Sequence, residues 1–288
     1  MNEMYIKPYS DIFVKYLLGT EENTGLLLSF INAVLSDSGF DTISSVEIKN
    51  PFNIKTSVTE KETILDVKAV DRNGRKYDIE VQTSGDYTYR WRSLYYWAQL
   101  YGGQLKEGDK FKELDPVICI NLLSFNLFKE LEQIHTCFFL REKNEPEFVL
   151  TDHLVLHFLE LNKLSEEIMK SKLERWLAFF KYEGKQEDLM EILIKSDKDI
   201  EKAHERYKRF SKDDNLKDIY LSREMWKKDR ISELSSAKEE GIEQGIEQGA
   251  ERAAINMVKD GLKDSLIISY TGISKERLFE LRRDYDRE

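Results

Sequence analysis

The sequence is poor in cysteine, has no long apolar run and has no basic excess, and each shortage excludes a class of protein. Only two cysteines, Cys119 and Cys137, occur in 288 residues, which excludes a disulfide framework and predicts reduced, buried thiols. No uninterrupted apolar stretch approaches the roughly 18 to 20 residues of a membrane span. The opening residues, MNEMYIKPYSDIF, have no apolar core, so we expect no signal peptide and a cytoplasmic protein without a membrane partner.

The charge balance is acidic, with a formal net charge of −10 at pH 7. Nucleic-acid-binding proteins usually have a basic excess, so a broad DNA-coating surface is not expected. An enzyme whose cations are gathered in one cleft is compatible with this charge. The segment between Arg72 and Arg92 contains such a local gathering of arginine and lysine side chains.

The first part of the chain alternates between helical and strand-like patterns. The expected elements are helices at 11–18, 22–35 and 88–105 and strands within 43–49, 62–82, 116–125 and 148–161. Ser10 is a suitable N-cap for the first helix. Helices mixed with strands in this order predict an α/β fold in which a mixed sheet is flanked by helices. From about residue 163 onward the pattern is helical throughout, which predicts an all-α C-terminal extension.

Four parts are predicted along the chain: an α/β domain over 1–162, a helical extension over 163–236, a glycine-repeat segment over 237–252 and a small three-helix unit over 253–288. Small residues recur every four positions in the glycine repeat, which would let another helix approach closely, although each helical glycine costs up to about 1 kcal/mol against alanine. A homodimer through residues 237–253 or through the C-terminal unit and a flexible linker are both open. The C-terminal unit has the spacing of a helix-turn-helix, which DNA binding and subunit assembly would explain equally.

A hairpin in the segment ILDVKAVDRNGRKYDIEVQ determines which side chains share a face. Asp71 and Gly74 occupy the first and fourth positions of a type I turn, with the glycine left-handed. A three-residue loop of this kind pairs Asp71 with Arg75. The apolar side chains of both strands then share one face, whereas a two-residue Asn-Gly turn would shift the register and mix acids into the apolar layer.

The polar face of this hairpin has two opposed acids. Counting back from the turn sets Lys68 opposite Asp78 and Asp66 opposite Glu80, with Gln82 further along the same face. Directly opposed residues have Cβ atoms about 4.5 to 5.5 Å apart, and like charges placed in this way are destabilising. A hard divalent cation such as Mg²⁺ would offset the repulsion. A solvated strand face, with Lys68 as a counter-charge, is the alternative.

The aromatic helix that follows the hairpin has one stripe expected to lie mostly in the core. Its members recur at helical spacing: Trp91, Leu94, Tyr95, Ala98, Tyr101 and Leu105. Tyr96 lies off this stripe and is expected to face the cleft. His153 and His157 are expected on one face of a later strand, in a structural or surface role, because a zinc site would need further ligands.

The hairpin string followed by an Arg- and Tyr-rich helix resembles the PD-(D/E)xK nuclease superfamily, and more narrowly the Rpn-type recombination-promoting nucleases, also described as transposases. The segments SDIFVKYLLGTEENTGLLLSFINAVL, YRWRSLYYWAQLYGGQLKEGD and HFLELNKL are similar to the family's opening helices, its post-motif helix and its later strand. The resemblance covers most of the chain, and residues 60–110 are its most specific part. It implies a restriction-endonuclease-like core and a Mg²⁺-dependent DNA endonuclease, with Mn²⁺ as a substitute metal, linked to recombination, mobile elements or defence.

The resemblance also implies roles for individual residues. Asp66 takes the place of the motif aspartate and Glu80 that of the second acid, so both would bind the metal. Leu65 stands where the motif has proline, and Gln82 stands where the superfamily usually has lysine. Asp11 on the first helix is a further candidate catalytic acid, and its alternative is an acid favoured there by the helix dipole. The candidates for DNA contacts are Arg90, Arg92 and Lys68.

Two other functions remain open at this point. The glutamine at position 82 and the acidic net charge favour a catalytically inactive DNA-binding protein on a nuclease scaffold. The glycine-repeat helix favours an assembly protein without DNA affinity.

Overall fold

The computed structural model describes residues 5–52, 67–83, 85, 87–165 and 169–285. The chain divides into two compact units, Met1–Leu221 and Ser222–Glu288. The described strands are β1 Val46–Ile48, β2 Val67–Asp71, β3 Lys76–Gln82, β4 Val117–Leu123, β5 His135–Arg141 and β6 Val149–Glu160. The described α-helices are α1 Asp11–Leu18, α2 Thr24–Asp37, α3 Tyr89–Gly102, α4 Lys172–Tyr182, α5 Glu187–Ser196, α6 Lys198–Lys212, α7 Asp214–Lys259, α8 Asp264–Thr271 and α9 Lys275–Tyr285. Short 3₁₀ turns cover Glu21–Asn23, Phe111–Glu113 and Leu161–Lys163.

The six described strands form one mixed sheet in the order β1-β2-β3-β4-β6-β5. The β3–β4 and β4–β6 pairs are parallel, and the other neighbouring strands are antiparallel. Helix α3 connects the parallel strands β3 and β4, as a crossover connection requires. This mixed sheet with flanking helices confirms the predicted α/β fold with a helical C-terminal extension.

The two faces of the sheet pack against different helices. On one face the main core contains residues of α1, α2, α4 and α6, with Phe13, Phe30 and Trp176 fully buried among them. On the other face α3 covers a smaller cluster that includes Tyr89 and the β4 residue Cys119. Because β4 alternates between the two layers, its seven residues are all buried. Strand β4 is therefore the buried centre from which both faces of the sheet can be traced.

Local signals placed several elements correctly. The Ser10 hydroxyl accepts a hydrogen bond from the Phe13 amide at 3.4 Å, so α1 begins where the N-cap predicts. Strand β5 was not predicted, because its residues HTCFFLR lack a clear alternation and follow a charged loop. It is an edge strand of the sheet, and β6 supplies its pairing.

The predicted core stripe of α3 is mostly wrong. Trp91, Leu94 and Tyr95 are exposed, whereas Tyr89 and Ser93 are the buried residues of the helix. Helix α3 has aromatic or apolar residues on nearly every side, so its periodicity does not define a single buried stripe. The buried side of α3 is the one that contains Tyr89, which packs against apolar residues of β4 and β6.

The second unit has a small apolar core of its own. It is formed by Ala254 near the end of α7, Ile267 in α8, and Ile273 and Leu278 around the start of α9. The Gly272 φ of 72° ends α8 in a left-handed cap, and the Ser274 hydroxyl accepts from the Arg277 amide at 3.1 Å. Of the three helices predicted for residues 253–288, the first is not separate, because residues 253–259 continue α7.

The glycine repeat lies inside α7, so this segment is helical rather than a loop. The predicted domain limits and the homodimer through residues 237–253 stay predictions. Among the described helices, none combines the length and the apolar character that a membrane crossing requires.

Candidate active site

The hairpin between β2 and β3 has the register that its turn predicts. The Asp71 amide donates to the Arg75 carbonyl at 3.1 Å, and the Gly74 φ is 83°. One Asp71 carboxylate oxygen accepts from the backbone amides of Asn73 at 2.8 Å and Arg75 at 3.1 Å. The turn is therefore fixed by the side chain of its own first residue.

The strand pairing confirms the predicted faces as far as the described residues reach. Val67 lies opposite Ile79, and Lys68 lies opposite Asp78. The apolar face is buried, with Val67 and Ile79 both fully covered, whereas Lys68 on the polar face is half-buried. Asp66, predicted as a metal ligand opposite Glu80, lies outside the described residues, and so does Leu65.

The polar face of β3 continues across the parallel strand β4. Glu80 is the register partner of Asn121, and Asp78 is the register partner of Cys119. Glu80 is half-buried, and Asp78 is only 2% exposed. The structure thus brings together two carboxylates, at alternate positions of one strand, beside the amide of Asn121. Asp78 and Asn121 were not among the predicted site residues.

Helix α3 closes this face from above through Tyr89. The Tyr89 hydroxyl donates to the Asn121 side-chain oxygen at 2.8 Å, and the Asn121 amide nitrogen donates to the His157 carbonyl at 2.9 Å. Through these two bonds, the oxygen and the nitrogen of the buried Asn121 side chain connect α3, β4 and β6. An asparagine within an apolar strand was the one sequence signal that could have indicated this link.

The two acids of β3 dominate the electrostatics of the layer beneath α3. Burial raises the pKa of Tyr89 well above its ordinary value, the Glu80 charge raises it further, and Arg92 opposes the shift. Burial also raises the pKa of the Cys119 thiol, with Asp78 and then Glu80 adding to it. Tyr89 therefore remains a neutral hydrogen-bond donor, and Cys119 remains a thiol without nucleophilic character.

The two arginines of α3 lie in different surroundings. The Arg92 guanidinium lies over the Tyr89 ring, 4.8 Å from its centroid, and its Nε is buried without a hydrogen-bond partner among the described residues. Arg90 instead donates to the Leu127 carbonyl at 2.8 Å and lies 4.8 Å from the Phe128 ring centroid. Of the two, Arg92 is the cation that contacts Tyr89, the residue whose pKa the acids of β3 also raise.

The remaining predicted residues are placed as follows. Gln82 is half-buried at the end of β3 and is the register partner of Leu123. Asp11 is the first residue of α1, and α1 packs against β3. The catalytic roles of Gln82 and Asp11 and the DNA contacts of Lys68, Arg90 and Arg92 stay predictions.

His153 and His157 do not share a face, so that expectation is wrong. The Nδ1 atom of His153 lies 2.9 Å from the Tyr101 hydroxyl of α3, whereas His157 lies against Phe40 on the opposite side of the sheet. The pairing of β6 with β5 shifts by several residues before Val155, and this bulge reverses the alternation. A zinc site from the two histidines is excluded by this arrangement.

The donor chemistry of the candidate site is that of a hard cation. Asp78, Glu80 and Gln82 provide carboxylate and amide oxygens, the ligand type that suits Mg²⁺ and Mn²⁺. Within the described ranges, no group of three His, Cys, Asp or Glu side chains could by itself hold a metal ion. The predicted ligand pair also includes Asp66, which these ranges do not contain.

The mixed sheet with an acidic polar face under a crossover helix defines a restriction-endonuclease-like α/β protein. The family model for the PD-(D/E)XK nuclease family transposases matches residues 8–237. The match covers most of the chain, and the protein belongs to this family. No curated protein and no solved structure matched the chain.

Proposed function

We propose that the protein is a metal-dependent endonuclease that hydrolyses phosphodiester bonds in DNA. The observation that carries the proposal is the hairpin register, in which Val67 pairs with Ile79 and Lys68 pairs with Asp78. Asp66 lies outside the described residues, and the register predicted from the turn would set it opposite Glu80. Two acids on neighbouring strands at one position are the arrangement that a shared divalent cation stabilises.

The residues of this site divide into metal ligands and groups that act on the substrate. Asp66 and Glu80 would hold the ion, which would supply an activated water and offset charge developing on phosphorus. Gln82 orients the attacking water or a non-bridging phosphate oxygen through its amide. Arg92 binds the DNA backbone, because its guanidinium lies over the Tyr89 ring at this site and guanidinium groups form charge-assisted hydrogen bonds with phosphate oxygens.

The frame around the site keeps these groups in place. The Tyr89 hydroxyl donates to Asn121 of β4 at 2.8 Å, so a buried hydrogen bond fixes the start of α3 on the sheet. The buried Asp78 lies two residues before Glu80 on the same strand and adds a second carboxyl group to this face. Membership of the family favours a role in recombination, mobile elements or defence.

A DNA-binding protein without turnover is the second candidate. Gln82 occupies the position of the usual lysine and removes a cation from the site, and the formal net charge of −10 weakens general DNA affinity. Under this function the protein would bind DNA equally well with and without a divalent metal.

The test is incubation of the purified full-length protein with supercoiled plasmid and Mg²⁺ or Mn²⁺. We expect nicked or linear product in the wild type, none with a chelator, and a loss of about 10²- to 10³-fold in Glu80→Gln and Asp66→Asn. The matched control is Glu147→Gln, which changes an exposed glutamate before β6 and should leave the rate unchanged.

The result that excludes catalysis is equally intact plasmid with wild type and both variants over several metals. Gel retardation of DNA with the metal chelated, together with intact plasmid, would support the binding protein instead.

A further inference from the structure

An exposed row of aromatic side chains lies on α3 and just before it, and we call it the aromatic stripe: Tyr87, Trp91 and Tyr95. These side chains are 74%, 64% and 58% exposed, respectively. The Tyr87 and Trp91 rings are in edge-to-face contact, with centroids 5.7 Å apart. The spacing of four residues places the three on one side of the helix, away from the buried Tyr89. A contiguous group of large rings exposed to water indicates a binding surface.

The aromatic stripe is continuous with the side of α3 that lies beside the candidate active site. The Tyr95 ring contacts the half-buried Tyr96 ring, with centroids 6.2 Å apart. Tyr96 is four residues after Arg92 and so lies on the same side of the helix. Aromatic rings therefore extend from Arg92, which lies over the buried Tyr89 ring, around to the exposed surface of α3.

The charge around the aromatic stripe suits a polyanion. Residues 87–104 contain Arg90 and Arg92 and no aspartate or glutamate, although Arg90 forms an ion pair with Glu130 at 3.4 Å. The Arg90 side chain remains 42% exposed within this pair, so α3 has cations and no acid of its own to face a negatively charged partner. The combination of unshielded rings and positive charge is the one that binds single-stranded nucleic acid.

We propose that the aromatic stripe stacks on unpaired bases, so that the protein acts on DNA with single-stranded or unpaired segments in preference to continuous duplex. This inference rests on the proposed nuclease function, because a DNA strand bound in that active site would pass over α3. Bases within a duplex are already stacked on one another, so only unpaired bases can present their faces to Trp91 and Tyr95. A second copy of the chain fits the stripe less well, because Leu94 is the one large aliphatic side chain exposed beside these rings on α3.

The test measures binding separately from cleavage. The full-length protein, with the metal chelated, is titrated with a labelled single-stranded oligonucleotide and with the blunt duplex of the same sequence. We expect the wild type to prefer the single strand, and Trp91→Ala and Tyr95→Ala each to weaken single-strand binding by about tenfold. Trp91→Phe should retain most of the affinity because it keeps a ring.

Two matched controls separate stacking from a general loss of aromatic surface. Phe111→Ala removes a side chain that is 85% exposed, and Trp226→Ala removes another exposed tryptophan. Both should bind the single strand as the wild type does. Quenching of tryptophan fluorescence by the single strand should be lost in Trp91→Phe and retained in Trp226→Phe.

The outcomes are distinct for this inference and for the nuclease function. Equal affinity for both DNA forms, or unchanged single-strand binding in Trp91→Ala and Tyr95→Ala, overturns the stacking proposal even if plasmid is cleaved. If the single strand binds through the stripe but no metal supports cleavage, the stacking proposal holds and the nuclease proposal is wrong. A wild-type dimer that both variants convert to monomer with unchanged DNA affinity would assign the stripe to a second copy and overturn stacking.

Discussion

The buried histidine of β6 makes a quantitative prediction about acid stability. His157 is fully buried, and its Nδ1 lies 3.0 Å from His135 Nε2 and 3.4 Å from the Ser38 hydroxyl. Burial lowers the pKa of His157 to about 3, and His135 adds to the shift. The groups around it include Asp37, 2.7 Å from the other ring nitrogen of His135, and Cys137, whose thiol pKa burial raises to about 11.

The sign of the effect follows from which state binds the proton. Above pH 6.5, the ordinary pKa of histidine, His157 is neutral in both the folded and the unfolded chain and its titration adds nothing. Between pH 6.5 and about 3 the unfolded chain binds a proton that the folded chain does not, so the free energy of unfolding falls as the pH falls. At about 1.4 kcal/mol per pH unit, the loss from this residue reaches about 2 kcal/mol at pH 5.

The assay compares urea unfolding of the wild type and His157→Gln at pH 8, 6 and 5. The variant should be less stable than the wild type at pH 8, because it loses a packed ring, but its stability should fall about 2 kcal/mol less by pH 5. Phe40→Leu is the control, since it reduces the packing on His157 without removing the titrating group. If the free energy of unfolding of His157→Gln falls with pH as steeply as that of the wild type, His157 is not the titrating group.

Two further predictions concern the frame of the candidate site. Tyr89→Phe leaves the buried Asn121 oxygen without its 2.8 Å donor, so urea unfolding should show a loss of about 1–3 kcal/mol, and an unchanged midpoint would contradict this bond. Gly74→Ala should cost about 1–2 kcal/mol, because the φ of 83° disfavours other residues and the new Cβ would lie 2.6 Å from an Asp115 oxygen. Gly25→Ala, with nothing within 4 Å of its new Cβ, is the control, and equal thermal midpoints for the two variants would contradict the prediction.

The sequence by itself determined the features that depend on a few neighbouring residues. The register of β2 and β3 was predictable because Asp71 and Gly74 specify the turn, and one turn sets every pair along a hairpin. The start of α1 was predictable because the Ser10 hydroxyl caps the amide three residues later. The choice of Glu80 as a site residue depended on the same register together with the family resemblance.

The tertiary structure decided which side of each element is buried. Helix α3 offers rings on several sides, and only contact with β4 and β6 selects Tyr89 for burial and leaves Trp91 exposed. The separation of His153 from His157 depends on a bulge that β5 imposes on β6. The burial of Asp78 and Asn121 likewise depends on α3 lying over the sheet. Several sides of one helix or strand can be equally favourable for burial when the segment is considered alone. Contacts between residues distant in sequence select one of these sides, so the alternation or periodicity of a single segment could not predict it.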